Sequence, residues 1–222
     1  METEIKAACF DMDGTLILNT NSVKYLCYIN GKKKEVDNIE KMEEMRSISW
    51  IEADYLKGEL IRGLNIQKVS EEFDSNIQLI KGIDFVIKFF QAMGIKTALI
   101  TAGPIEVAEV LGKRFNFDEV YGSVYEVVNG KYTGKIKTHL GDRGKRNCLE
   151  HFCETNGISP GNCIAIGDSS SDVEVFKICR KSIAINYSEA LLGKADEYIK
   201  TDDLEDILEL IGIEKETSSY FI

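Results

Sequence analysis

The 222-residue sequence predicts an α/β fold: a parallel sheet with helices on both faces, a small helical insertion after the first strand, and a β-hairpin. Three observations carry this expectation. Short, almost continuously apolar runs rich in β-formers alternate with amphipathic helical patterns over most of the chain. Residues 17–80 interrupt the alternation with helical periodicity alone. Asn129-Gly130 sits between β-branched and aromatic residues, which is the strongest short-range signal for a hairpin turn.

Residues 5–11, 95–101, 163–167 and 182–186 read as buried strands. They lack a polar face because a strand covered by helices on both sides has none to present. Between them, 83–93, 105–115, 147–156 and 172–179 repeat apolar residues at helical spacing, and 202–211 reads as a closing helix. Within 17–80, Trp50, Ile51, Tyr55, Leu60, Ile61 and Leu64 recur at helical spacing, and 36–48 is a charged amphipathic stretch. The expected division is a core of residues 1–16 and 81–222 with a helical cap at 17–80. The hairpin, 124–136, is expected to project from the sheet.

Hydrophobic residues make up 44% and charged residues 29%, with a formal net charge of −10. That balance argues against a nucleic-acid partner, which needs a basic face. It leaves room for a phosphorylated substrate, because a bound cation inverts the local field. Cys9, Cys27, Cys148, Cys153, Cys163 and Cys179 form no C-x-x-C pair, so free thiols in a reducing cytoplasm are expected. The apolar stretch 5–10 is too short for a signal peptide and runs straight into acids. No apolar run approaches the ~20 residues of a membrane span.

The chemistry begins where the first strand ends, at Asp11-Met12-Asp13-Gly14-Thr15. Residues two apart in extended chain point the same way, so both carboxylates face one spot at the carboxyl end of a buried strand. Gly14 lets the chain turn there. Neighbouring carboxylates hold each other's protons unless a divalent cation neutralises one of them. That division suits phosphoryl transfer, with one Asp as nucleophile and the other as proton donor and acceptor.

The second strand ends in Thr101-Ala102-Gly103-Pro104, where a hydroxyl and free amides can cradle a phosphate. Lys145, in competition with Arg143 and Arg146, can reach Asp11 and the phosphoryl oxygens. Gly167-Asp168-Ser169-Ser170-Ser171-Asp172 ends another apolar strand. Asp168 is placed to bind a cation directly, and Asp172 to orient a water on that cation or Lys145. Mg²⁺ suits such a site because it prefers oxygen ligands and keeps several waters.

Taken in order, Asp11-Met12-Asp13-Gly14-Thr15, Thr101, Lys145 and Gly167-Asp168-Ser169-Ser170-Ser171-Asp172 resemble the motif set of the haloacid dehalogenase superfamily across the whole chain. The resemblance implies a Rossmann-like core with Asp11 as nucleophile and Asp13 as general acid and base. It implies Thr101 and Lys145 on the phosphoryl oxygens beside Gly14, Ala102 and Gly103. Mg²⁺ would be held by Asp11, Asp168 and the backbone carbonyl of Asp13, with Asp172 behind them. The implied activity is Mg²⁺-dependent hydrolysis of a small phosphorylated metabolite through an aspartyl-phosphate. A phosphotransferase or phosphomutase, or a non-catalytic phosphometabolite-binding protein, are the alternatives.

The hairpin and Gly130-Lys131-Tyr132-Thr133-Gly134 look most like phosphoserine phosphatases. Those enzymes carry a cap glutamate for the substrate ammonium, whereas Leu18-Asn19-Thr20-Asn21-Ser22 contains no acid. Glu43, Glu52 and Asp54 are candidate replacements, and Lys57 or Arg62 for the cap arginine that grips the carboxylate. On this reading phosphoserine gains little over analogues lacking its amino group. His139 and His151 read as structural or surface residues.

Overall fold

The computed structural model describes residues 5–141 and 143–213. A seven-stranded sheet in the order β4-β3-β2-β1-β5-β6-β7 forms its centre. Strand β1 (Ala7–Phe10) lies between β2 (Lys96–Pro104) and β5 (Cys163–Gly167), parallel to both. Strands β6 (Lys181–Ile185) and β7 (Glu197–Ile199) continue the parallel sheet on one side. On the other, β3 (Glu119–Val128) pairs in parallel with β2 and antiparallel with β4 (Lys131–Thr138).

The pleat of β1 divides the core. Ala8 and Phe10 join one hydrophobic cluster, and Ala7 and Cys9 the other. Helices α6 (Ile83–Ala92) and α7 (Ile105–Phe115) supply Ile83, Phe90, Val107 and Leu111 to the first. Helices α8 (Gly144–Asn156) and α9 (Val173–Phe176) supply Leu149, Phe152 and Phe176 to the second. All six cysteines are free thiols, four of them buried. Among the described residues no helix is long and apolar enough to cross a membrane.

Residues 17–80 hold five helices: α1 (Ser22–Ile29), α2 (Lys33–Glu44), α3 (Trp50–Leu60), α4 (Gln67–Glu71) and α5 (Phe73–Asn76). Local chemistry sets two of the starts. The Asn21 side chain accepts the Lys24 amide at 2.8 Å, and Ser49 with Glu52 forms a reciprocal capping box. The chain leaves and re-enters the sheet domain along adjacent backbones, with Leu18 N donating to Gln78 O and Ile80 N to Leu16 O, each at 2.9 Å. Tyr25, Leu26, Ile61, Val69 and Phe73 belong to the same cluster as Phe10 and Leu99, so apolar packing crosses from insertion to sheet.

Two expectations need correction, and the hairpin stands. The hairpin does project as expected: β3 pairs with β2 only as far as Ser123, and its pairing with β4 begins at Val124. Gly122 makes β3 possible: a Cβ there would lie 2.8 Å from the Cα of Ile105. The turn itself follows the Asn-Gly signal, with φ of 51° at Asn129 and 74° at Gly130. The closing helix 202–211 is a 3₁₀ turn, Leu204–Asp206, followed by the short α10 (Ile207–Leu210). The helix expected at 172–179 is likewise a 3₁₀ turn, Ser170–Asp172, leading into α9. Strand β7 escaped notice because three half-buried residues at a sheet edge carry too little pattern.

Candidate active site

Strands β1, β2 and β5 end side by side, and their carboxyl ends open into a cavity of about 550 Å³. Asp11, Asp13, Gly14, Thr101, Ala102, Gly103, Lys145 and Asp168 line it. Every sequence-predicted residue of the phosphoryl end therefore converges there, with Asp172 immediately behind.

Lys145, in the first turn of α8, is only 3% exposed and donates to Asp11 Oδ1 at 2.6 Å and to Asp172 Oδ1 at 2.8 Å. Burial works to lower its pKa, but the two carboxylates outweigh that and hold it raised. Its competitors point elsewhere: Arg146 pairs with Glu150 at 2.9 Å, and neither it nor Arg143 lines the cavity. Asp172 is fully committed, because its Oδ2 also accepts the amides of Asp168 and Ser169 at 3.1 Å each. Asp11 is raised by burial, against the opposing pull of Lys145.

Asp13 is held from the insertion. The Ser22 amide donates to its Oδ1 at 2.8 Å and the Ser22 hydroxyl to its Oδ2. Burial raises its carboxyl to about 6, and the two Ser22 bonds work against that rise. A group poised there can give a proton near neutral pH and take one back. The Thr101 hydroxyl oxygen accepts the Gly103 amide at 3.0 Å, leaving its own hydrogen free to donate. Pro104 has extended backbone and stands at the N-cap of α7.

Two glycines are required by close approach. Gly14 has φ of 79°, and a Cβ there would sit 2.1 Å from Asp168 Oδ2. A Cβ at Gly103 would lie 2.1 Å from Ser22 Oγ and 3.0 Å from Asp13 Oδ2. Gly103→Ala is therefore expected to displace Ser22 from Asp13, cost about 1–3 kcal/mol of stability and lower kcat at least tenfold. Urea unfolding and steady-state kinetics check this; wild-type values for both would show that the loop yields freely.

The donors suit a hard divalent cation. Carboxylate oxygens of Asp11, Asp168 and Asp172 lie within 4.8 Å of one another. Asp168 Oδ1 is buried with no hydrogen-bond partner among the described residues, and burial drives its pKa well up. An orphaned buried carboxylate oxygen is costly, and a cation is the partner that satisfies it. The Asp13 carboxylate lies outside this cluster and is held by Ser22 instead.

The cavity continues onto the insertion, where Lys24, Glu40, Glu43, Trp50, Asp54 and Lys57 line it. Lys57 contacts Glu40, reaches Glu43 at 3.1 Å and lies 3.9 Å from Asp54. Its side chain is 3% exposed. His139 Nε2 lies 3.0 Å from Asp54 Oδ2, and its ring packs near those of Trp50 and Tyr55, with centroids 5.3 and 5.7 Å away. His139 itself does not line the cavity and contacts it through Asp54. Arg62 is turned away, exposed and paired with Glu59, and Glu52 is spent on capping α3.

Sequence reasoning missed Ser22, which holds Asp13, and Glu40. Glu40 comes to this end of the cavity from α2 and accepts from Asn21 Nδ2 at 3.3 Å. The signal was available: Glu40 and Glu43 lie four and seven residues after the buried Val36, which marks the inward face of α2.

Residues 8–177 match the model of the haloacid dehalogenase-like hydrolase family. Phosphoserine phosphatase of Methanocaldococcus jannaschii is 27% identical over 212 residues, spanning 95% of this chain and 100% of that protein. Phosphoserine phosphatase of Archaeoglobus fulgidus is 28% identical over 214 residues, 96% of this chain but only 62% of its own length. A substrate-bound phosphoserine phosphatase complex superposes with a TM-score of 0.83 at 25% identity, over 96% of this chain and 100% of that one. A phospho-aspartyl intermediate analogue of phosphoserine phosphatase gives 0.82 at 25% identity, over 95% and 100%.

Proposed function

The chain belongs to the haloacid dehalogenase-like hydrolase family, and on that premise we propose that it is a Mg²⁺-dependent phosphatase that hydrolyses a small phosphorylated metabolite through an aspartyl-phosphate. The observation that carries this reading is Lys145 bridging Asp11 and Asp172 beside the unpartnered Asp168 Oδ1. A buried ammonium that orients one carboxylate, next to a carboxylate awaiting a cation, is a site prepared for a phosphoryl group.

In the first step an Asp11 carboxylate oxygen attacks phosphorus and the bond to the ester oxygen breaks. The electron pair leaves with that oxygen, and protonated Asp13 donates the proton that makes it an alcohol. In the second, the Asp13 carboxylate takes a proton from water as the water oxygen attacks phosphorus, releasing phosphate and restoring Asp11. Lys145 and Thr101 donate to the phosphoryl oxygens. Mg²⁺, held by Asp11, Asp168 and the Asp13 carbonyl, would neutralise charge on those oxygens. We further propose that residues 17–80 act as a lid that excludes water, with Ser22 tying the lid to Asp13. Six free cysteines support a cytoplasmic setting.

Phosphate release from p-nitrophenyl phosphate tests the reading. Excess chelator is expected to abolish turnover and Mg²⁺ to restore it. Ca²⁺ should bind and inhibit, because its larger coordination number favours capture of both Asp11 oxygens. Full activity under chelation would refute the role of the cation.

A further inference from the structure

We infer that the cavity selects a phosphomonoester whose organic end carries an amine and no carboxylate, a phosphorylated amino alcohol, and that Glu40 and Glu43, with Asp54, make that selection. The inference rests on the phosphatase reading above and names the substrate class for it.

The acids do not stand alone. They line the same cavity as Asp11, Thr101 and Lys145, so an ester seated at the phosphoryl end has its organic group against them. Glu40, Glu43 and Asp54 face Lys24 and Lys57 there, three carboxylates against two ammoniums.

Each lysine already has carboxylates as partners. Lys57 is buried and shared among all three acids. Lys24 is held by Asp37 at 3.4 Å and Glu40 at 3.8 Å. An incoming carboxylate meets Lys57 or Lys24 only beside Glu40, Glu43 or Asp37 and stands next to them as a like charge, which is repulsive in a partly desolvated cavity.

An incoming ammonium meets the opposite situation. It joins a wall already one negative charge in excess, and it needs no partner displaced. Trp50 adds an indole to the same wall, a surface that attracts cations. Phosphoserine carries both groups, so its carboxylate cancels what its ammonium gains.

The test is kcat/KM of the wild-type protein with Mg²⁺ on O-phosphoethanolamine, 2-phosphoglycolate, O-phospho-L-serine and p-nitrophenyl phosphate. O-phosphoethanolamine is expected to exceed 2-phosphoglycolate by about tenfold or more, the scale on which an attractive charge pair differs from a repulsive one at such a wall, and to exceed O-phospho-L-serine. A smaller ratio, or a faster reaction with either carboxylate ester, overturns the inference. Glu40→Gln, which releases Lys57 from one of its partners, should lower the phosphoethanolamine-to-phosphoglycolate ratio roughly tenfold; an unchanged ratio also counts against it. Glu43→Gln gives the same reading should the first variant not fold. If p-nitrophenyl phosphate is not hydrolysed either, the phosphatase reading fails and takes this one with it. Hydrolysis of p-nitrophenyl phosphate with the wrong order among the other three defeats the selectivity alone.

Discussion

Asp11→Asn should lower kcat by about four orders of magnitude or more, the scale seen when a nucleophile is removed from an otherwise intact site. The substitution keeps the shape of the side chain and removes its negative charge. A neutral amide oxygen does not displace an alkoxide from phosphorus. Lys145 keeps Asp172 at 2.8 Å, so the site should not collapse for want of an ion-pair partner. The check is steady-state kinetics on p-nitrophenyl phosphate, with acid-quenched mass spectrometry of the wild type for a phosphorylated Asp11 peptide. Turnover above about 1% of wild type in the pure variant, or a phosphoryl group trapped on another residue, would remove Asp11 from the role proposed for it.

Lys145→Met should damage both stability and activity. Methionine replaces the stem of the lysine and leaves Asp11 and Asp172, 4% and 3% exposed, without the ammonium between them. Breaking a buried ion pair in this way costs about 3–5 kcal/mol, because the remaining charges lie in a poorly solvated place. The loss should depend on pH. Burial already raises the Asp11 carboxyl against the pull of Lys145, and removing the lysine raises it further. The native variant then holds protons that the unfolded chain releases above about pH 4, so its stability must fall as pH rises towards the raised folded value. Urea unfolding in chelator at pH 5 and pH 8 should show the larger deficit at pH 8, and added Mg²⁺ should recover part of it by binding the native state. Equal stability to wild type at pH 8 would mean that the carboxylates have other partners. In activity, losing a preorganised cation at the phosphoryl group should lower kcat by about 10²–10³.

The phosphoryl end of the site was legible in the sequence because it is built from local pieces repeated in a fixed frame. Asp11, Thr101 and Asp168 each stand at or just past the carboxyl end of an apolar run. A parallel sheet brings the carboxyl ends of its neighbouring strands together, so strand order alone makes these residues meet. Lys145 needed one more step, the choice over Arg143 and Arg146. The structure supports that choice: the first turn of α8 aims Lys145 at the sheet while Arg146 faces Glu150.

The distal end was much less legible. Around Thr20 the sequence lacks an acid, and of the replacements it offered, Glu43 and Asp54 reach the cavity while Glu52 does not. The wall is instead assembled from Asn21, from Glu40 and Glu43 on α2, and from Asp54 and Lys57 on α3. Those residues are nowhere adjacent in a strand frame, and helical periodicity gives only their face, not which cavity that face meets.

Sequence by itself thus determined the α/β class, the hairpin turn and which residues meet at the strand ends, because each depends on periodicity of two or 3.6, on one dipeptide, or on strand termini. Only the tertiary structure decided that Ser22 clamps Asp13, that Lys57 is sequestered while Arg62 is not, and that Glu40 faces the cavity. Each of these depends on how the insertion packs against the sheet, through a hydrophobic cluster shared by residues as distant as Phe10, Tyr25, Phe73 and Leu99. Such packing is set by the relative placement of whole elements, and no local pattern encodes that placement.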